Sequence, residues 1–197
     1  LEALWPGPVQ PSEKTRAGLG LIRRLAPDGE PLYARRLTLS EVQTRIDRYY
    51  SPYHAWLEST LLELKDRFGA VWHVDCHSMP RIGRETAPDA GQRRADVVLG
   101  DRDGSSCDPD FTRAVADALR DLGYEVRINH PYKGVEILRR YGAPDAGVHS
   151  LQIELCRDLY MDEDEVTKTD GFERLKADMT RLAERIAAYA TERALRR

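Results

Sequence analysis

Ala70-Val71-Trp72-His73-Val74-Asp75-Cys76-His77, running straight into Ser78-Met79-Pro80, reads as a short apolar strand that opens onto a polar loop. A helical pattern precedes it. From Thr38 onward, apolar residues recur at helical spacing: Val42, Ile46, Tyr49, Tyr50 and Tyr53, then Trp56, Leu57, Leu61, Leu64 and Phe68. Ser40 is the expected N-cap, Glu41 starts an acidic first turn, and Pro52 is expected to kink or restart the helix. Gly69 stands where a left-handed C-terminal cap belongs. A helix that stops and hands over to an apolar strand predicts an α/β sheet with parallel neighbours.

Downstream the pattern repeats. Ser78 to Arg94 is a long loop rich in Gly, Pro and Arg, of a length often functional or disordered. Ala95 to Leu99 is a second strand ending in Gly100-Asp101-Arg102. A helix over Pro109 to Leu122 follows, with Asp108 as cap, Pro109 in the first helical position and Gly123 as stop. Tyr124 to Asn129 is a third strand, followed by a turn at Pro131-Tyr132-Lys133-Gly134 and a second Gly/Pro-rich loop. Ser150 to Leu155 is the fourth strand, and an amphipathic helix over Gly171 to Ala194 closes the chain. Upstream, Leu1 to Pro31 reads as irregular, punctuated by Pro6, Pro8, Pro11 and Pro27, with a short strand at Leu19 to Leu25. The expected architecture is a single α/β domain over residues 1–197, a mixed, mostly parallel sheet flanked by helices. In such sheets functional groups gather beyond the strand ends. The loops after His77, Asp101 and Asn129 lie there, and Glu154 lies inside the fourth strand.

The bulk numbers bound the function. Of 197 residues, 41% are hydrophobic and 32% charged, ordinary for a globular protein, and the formal net charge is -3. No global basic field invites nucleic acid or an anionic membrane. No apolar run approaches the roughly 20 residues needed to cross a bilayer, and no signal-peptide pattern is visible. The expected location is the cytoplasm. Three widely spaced cysteines, Cys76, Cys107 and Cys156, argue against a disulfide framework or a CxxC zinc site. Cys76 and Cys156 are expected to be small buried core residues.

Four segments carry chemistry. Asp75 and His77 are two apart on a strand, so both project from one face. The carboxylate can hold the imidazole tautomer or share a metal with it; a strand-end histidine satisfied by hydrogen bonds is the plainer reading. In Gln152-Ile153-Glu154-Leu155, an acid lies in an otherwise apolar strand, where burial should raise its pKa into the range a general base needs. A structural ion pair, with Arg157 for example, is the alternative. The turn from Gly100 to Asp108 suits a tight loop and cap, or presents Arg102 as a fork of donors to a substrate carboxylate. Asn129-His130-Pro131-Tyr132-Lys133-Gly134 is a turn that also gathers an amide, a phenol and an amine after a strand. His54, His73 and His149 are weaker candidates, with His73 expected to pack, and Asp162-Glu163-Asp164-Glu165 is read as solvated surface.

Taken together, Pro31 to Leu37, Tyr50-Ser51-Pro52-Tyr53-His54, Asp75 to Pro80, Asp96 to Pro109, Asn129 to Gly134 and His149 to Met161 resemble the N-formylglutamate amidohydrolase family. The family removes formate from N-formylglutamate in histidine breakdown. The resemblance implies a fold similar to the zinc carboxypeptidases and aspartoacylase-like deacylases. It implies that His77 is a zinc ligand and that Glu154 activates water and passes its proton to the leaving amine. Zinc is thus the implied cofactor, and a small acidic N-acyl amino acid the implied partner. Arg102, Asn129 and Tyr132 become candidates for holding the glutamate moiety or stabilising the oxyanion.

This sequence departs from the family pattern at its start. The family's other metal ligands come from an N-terminal His-Ser-Gly segment and an acidic residue soon after it, and an Asn-Arg segment also lies upstream; none occurs before Leu19. With no initiator Met either, the expectation is a chain lacking the N-terminal part of its domain. Other readings on this fold are a deacylase of a different N-acyl amino acid and a degenerate, non-catalytic domain that binds a small ligand. A cysteine hydrolase using Cys76 beside His77 is disfavoured, because adjacent strand residues point to opposite faces.

Overall fold

The computed structural model describes residues 13–16, 18, 20–26, 29–85, 87 and 89–194. Two compact units, Leu1–Ser59 and Thr60–Arg197, are taken in turn.

In the first unit, Pro6, Pro8, Pro11, Leu19 and Pro27 lie outside the described residues. The strand expected near Leu25 is a single antiparallel bridge from Leu25 to Pro31. A turn of helix, α1 (Glu13–Arg16), and the helix α2 (Leu39–Arg45) are present. The cap of α2 is Thr38, not Ser40. The Thr38 hydroxyl accepts from Glu41 N, and the Glu41 carboxylate accepts in return from Thr38 N at 2.8 Å. That reciprocal pair satisfies two donors at once, which a cap at Ser40 would not. Pro52 acts as expected. Its ring has no N–H to donate and crowds the carbonyl one turn back. The chain widens into a π-helical turn over Ile46–Tyr50, where Ser51 N donates to Ile46 O, and restarts as α3 (Ser51–Phe68).

Helix α3 runs across the boundary between the units. Its buried row is His54, Leu57 and Leu61, spaced i, i+3, i+7, whereas Trp56 (64%) and Phe68 (48%) are exposed. Trp56 is off the stripe read from sequence, turned about 100° from Leu57 around the axis, whereas Phe68 lies on the buried face and is the last residue of the helix. Gly69 ends the helix at φ 78°, and its N–H donates to Lys65 O.

The second unit holds β1 (Val71–Met79), β2 (Val97–Gly100), α4 (Pro109–Asp121), β3 (Val126–Ile128), α5 (Glu136–Tyr141) and β4 (Val148–Cys156). A small hairpin, β5 (Met161–Asp162) and β6 (Thr167–Lys168), and the long α6 (Gly171–Ala194) complete it. The sheet order is β1-β4-β2-β3, with β1–β4 and β2–β3 parallel and β4–β2 antiparallel. This is the mixed, mostly parallel sheet the sequence predicts. Helix α4 starts at Pro109 with the Asp108 carboxylate accepting from Asp110 N, and Gly123 follows it at φ 91°. Helix α5 occupies part of what reads as loop; it is one and a half turns long, with Leu138 as its single buried anchor.

The two faces of the sheet differ. Leu151 and Ile153 of β4 and Val97 and Leu99 of β2 pack on Phe111, Val115, Ala116 and Leu119 of α4 and on Leu175 and Leu182 of α6. Trp72 and Val74 of β1 lie partly buried against the same core. The opposite face carries His73, Asp75 and His77, in register with Ser150, Gln152 and Glu154. Period-2 alternation on β1 and β4 therefore sorts apolar residues to the helices and polar ones to the other side.

Helix α6 is fastened next to β3 by a buried polar contact. Tyr124 Oη donates to Asp178 Oδ2 at 2.8 Å, with both residues buried and Arg181 3.3 Å from the other carboxylate oxygen. Burial, and then this bond, push the phenol up to about 12. Tyr124→Phe removes the donor and leaves that oxygen desolvated, so stability is expected to fall by about 1–3 kcal/mol. Urea unfolding measures it, and an unchanged midpoint would show that the contact is not made.

Candidate functional site

The C-terminal halves of β1 and β4 bring the two strongest sequence candidates together. Asp75 and His77 share a face, and His77 Nε2 lies 3.1 Å from Asp75 Oδ2. In the parallel register His77 is opposite Glu154, and its Nδ1 is 3.8 Å from Glu154 Oε1. Glu154 is 7% exposed. Burial raises its carboxyl above the ordinary range; the His77 and Arg94 charges pull it back, and Asp75 pushes it further up. Arg157, the partner considered from sequence, pairs instead with Glu163 at 2.6 Å.

Two more residues belong here that the sequence reading did not assign. Gln152, 1% exposed, donates through Nε2 to Glu154 Oε1 at 2.9 Å and accepts from Val135 N at 3.0 Å. Its signal was available, since it lies two before Glu154 on the same face. Arg94 had no comparable signal as the last residue of a loop. It is held by Asp89 through two bonds of 2.7 Å, and its guanidinium lies 4.9 Å from the Tyr132 ring centroid. The loop before it is folded: bridges join Ile82 to Arg93 and Gly83 to Ala90, and Arg81 ties Asp158 to Asp96.

Tyr132 follows a cis His130–Pro131 bond and packs half-buried on Met79, Val98 and Cys156. Burial raises its phenol and Arg94 lowers it, while the charge of Glu154 is also felt there. Asn129, at φ 59°, donates from Nδ2 to Asp101 Oδ1 at 2.7 Å and accepts from Asp101 N at 3.0 Å. Asp101 in turn accepts from Gly104 N and Thr112 Oγ1. Both ends of the Asn129 amide are thus engaged in tying the loops after β2 and β3. Arg102, also left-handed at φ 56°, accepts no such tether on its side chain. Among the described residues its half-buried guanidinium makes no hydrogen bond or ion pair, although Glu136 feels its charge.

The remaining histidines have structural settings. His73 Nδ1 is 2.8 Å from Ser150 Oγ, and burial lowers its pKa, which accords with a packing role. His149 stacks on Trp72 and accepts from Asp108 N, and buried His54 lies against Tyr50 and Tyr53. Cys156 is buried as expected, but Cys76 is exposed. By alternation Cys76 shares the side of Trp72 and Val74, opposite His77. Asp162 is more than solvated surface: its Oδ1 accepts from Asp164 N and Glu165 N in the β5–β6 turn. An open groove of about 480 Å³ lies in the first unit, lined by Tyr33, Arg45, Tyr49, Tyr50 and Tyr53 among others, and none of the predicted site residues lines it.

A metal can be tested against this donor set. A catalytic zinc takes three protein ligands. Among the described residues no group of three or more His, Cys, Asp or Glu is placed to hold an ion. His77 is a single imidazole oriented by Asp75, so these residues do not by themselves fit a complete zinc site.

Comparison with known proteins gives a consistent picture. The model of the family described as N-formylglutamate amidohydrolase matches residues 6–161. The chain is 34% identical over 183 residues to N-formylglutamate deformylase of Pseudomonas aeruginosa, covering 90% of this chain and 67% of that protein. It is 29% identical over 186 residues to N-formylglutamate deformylase of Pseudomonas putida, with the same coverage. The crystal structure of N-formylglutamate amidohydrolase from Ralstonia eutropha JMP134 superposes with a TM-score of 0.87 at 46% identity, over 95% of this chain and 68% of that one. The Atu2144 gene product of Agrobacterium tumefaciens shares the fold, with a TM-score of 0.62 at 17% identity over 91% of this chain and 65% of that one.

The raised Glu154 carboxyl has a measurable consequence. The folded protein holds this proton more tightly than the unfolded chain, whose value is near 4.5. Glu154 therefore favours the fold below that pH, and the contribution is lost as pH rises through the folded value. Glu154→Gln is expected to raise the thermal midpoint near neutral pH and to lose the advantage as pH falls toward 4.5. Calorimetry across pH checks this; an unchanged or lower midpoint near neutrality would mean that burial is not straining the carboxylate.

Proposed function

The chain belongs to the N-formylglutamate amidohydrolase family, and from that membership we propose that it hydrolyses the formyl amide of N-formyl-L-glutamate to formate and glutamate, as in histidine breakdown. The observation that carries this reading is the buried Glu154 carboxylate facing the Asp75-held imidazole of His77 at 3.8 Å. Glu154 is the general base. Its raised affinity for a proton suits it to take one from water as the water oxygen bonds to the formyl carbon. The same proton then goes to the glutamate nitrogen as the C–N bond breaks, which regenerates the carboxylate.

His77 is the ligand this chain offers to zinc in our reading. The described residues do not complete a ligand set around it, so the steps assigned here are those of the chain's own side chains. Asp75 accepts from Nε2, which leaves Nδ1 as the nitrogen facing Glu154. Arg102 supplies a guanidinium for a carboxylate of the substrate, and Tyr132 supplies a phenol beside Glu154 and Arg94. Asn129 contributes at this end through the turn it fixes at Asp101. The substrate is a small acidic N-acyl amino acid, and a cytoplasmic setting belongs to the same proposal. No helix among the described residues is long and apolar enough to cross a membrane.

Two measurements on the full-length protein test these roles. His77→Ala is expected to lose zinc in elemental analysis, whereas Glu154→Gln keeps the metal and loses roughly 10²–10⁴-fold in kcat on N-formylglutamate. Wild-type turnover in Glu154→Gln would remove Glu154 from the base role. Arg102→Ala is expected to raise KM by roughly ten- to a hundredfold, the loss of one charge-assisted contact. An unchanged KM would place the substrate carboxylate elsewhere.

A further inference from the structure

The amide of Gln152 occupies a position that packing alone does not require. It sits two residues before Glu154 on a strand buried at every residue but Leu155, and is itself 1% exposed. Its two polar ends have distinguishable partners. Val135 N can only donate, so Gln152 Oε1 must face it, at 3.0 Å. Nε2 is thereby turned to Glu154 Oε1, at 2.9 Å. The orientation of the amide follows from chemistry.

The backbone that delivers Val135 is also specified. In the β2–β4 pairing, Gly100 is opposite Gln152. A Cβ on Gly100 would meet Gly134 N and Lys133 C at 2.7 Å. Glycine here lets the segment after Tyr132 lie on the sheet beside Gln152, and Gly134, at φ 111°, turns it there. One carboxylate oxygen of Glu154 thus accepts from Gln152 and faces His77 Nδ1. The other accepts from no protein donor among the described residues.

We propose that Gln152 is a positioning residue for hydrolysis: it holds Glu154 by Oε1, directs Oε2 at the reacting water, and ties that orientation to the Tyr132-bearing loop through Val135. This rests on the reading of Glu154 as general base. Gln152 touches neither substrate nor water; it acts through the carboxylate.

A double-mutant cycle in the full-length protein tests it, with kcat and KM measured on N-formylglutamate for wild type, Gln152→Met, Glu154→Gln and the double variant. Gln152→Met keeps the length of the side chain and removes both hydrogen bonds. It is expected to lower kcat by roughly ten- to a hundredfold, the effect of a misplaced catalytic group, with KM little changed. On the Glu154→Gln background it is expected to cost no further rate, because the group it orients is gone. Wild-type kcat in Gln152→Met overturns the proposal, as does a loss that multiplies with that of Glu154→Gln, which marks a role in folding alone. In both cases a slow Glu154→Gln leaves the general-base reading standing. Wild-type kcat in Glu154→Gln is the separate result that removes the base itself. Should Gln152→Met not fold, Gln152→Asn keeps a polar amide, draws it back by one methylene from Glu154, and enters the same cycle with the same expectations.

Discussion

The parallel pairing of β1 with β4 sets His77 opposite Glu154, and most of the molecule can be understood as what keeps that ladder in register. Nine residue pairs, from Val71 with Val148 to Met79 with Cys156, align without a bulge. A slip of one residue would turn Glu154 and Gln152 into the helical core and bring Leu151 and Ile153 out to the polar face. That exchange would bury two polar groups against Phe111 and Leu119 without partners. The large apolar contact with α4 and α6 is thus a stability device that also aligns two polar side chains on the side it does not touch.

The polar face is an exercise in compensation. A carboxylate as buried as Glu154 would shed its charge unless something favoured it. Gln152 supplies a hydrogen-bond donor, and His77 and Arg94 supply positive charge nearby. Arg94, however, is already paired with Asp89, and Asp75 adds a negative charge beside His77. The compensation is incomplete, which is why the carboxyl remains above its ordinary range. A fully paired glutamate would be a poor base. An unpaired one would be protonated, and Glu154 lies between these extremes.

Much of this was legible before the structure. Alternation and caps located four strands and the two long helices of the sheet domain, because those signals are local: Asp108 and Pro109 open α4, Gly123 and Gly69 close helices, and an acid in an apolar strand stands out. What was missed depended on partners distant in sequence or on position in the sheet. Cys76 reads as a core residue from its apolar neighbours, and its exposure is not set by that local pattern. Helix α5 is too short for periodicity to show. The choice of Thr38 over Ser40 was in principle readable, since only Thr38 has Glu41 three residues on. Arg94 gains its meaning from Asp89 and Tyr132, and Gln152 from Val135, a pairing no local pattern contains.

The loops after β2 and β3 show why Arg102 and Asn129 cannot be considered apart from Glu154. Arg102 N donates to Lys133 O, Asp101 and Asn129 exchange two bonds, and the missing side chain of Gly100 admits Lys133 and Gly134 against the strand. Val135, the next residue, ends on Gln152. A continuous run of contacts therefore leads from Arg102 through the crossing loop to Gln152 and Glu154, and every link is backbone or a buried amide. Long flexible side chains would let the two ends drift independently; these do not. The left-handed backbone at Arg102 and Asn129 is sustained by the same bonds. On the proposed reaction, the backbone that carries the Arg102 guanidinium and the carboxylate that takes the proton of water are joined through one run of contacts, so displacement of that backbone is transmitted to Glu154.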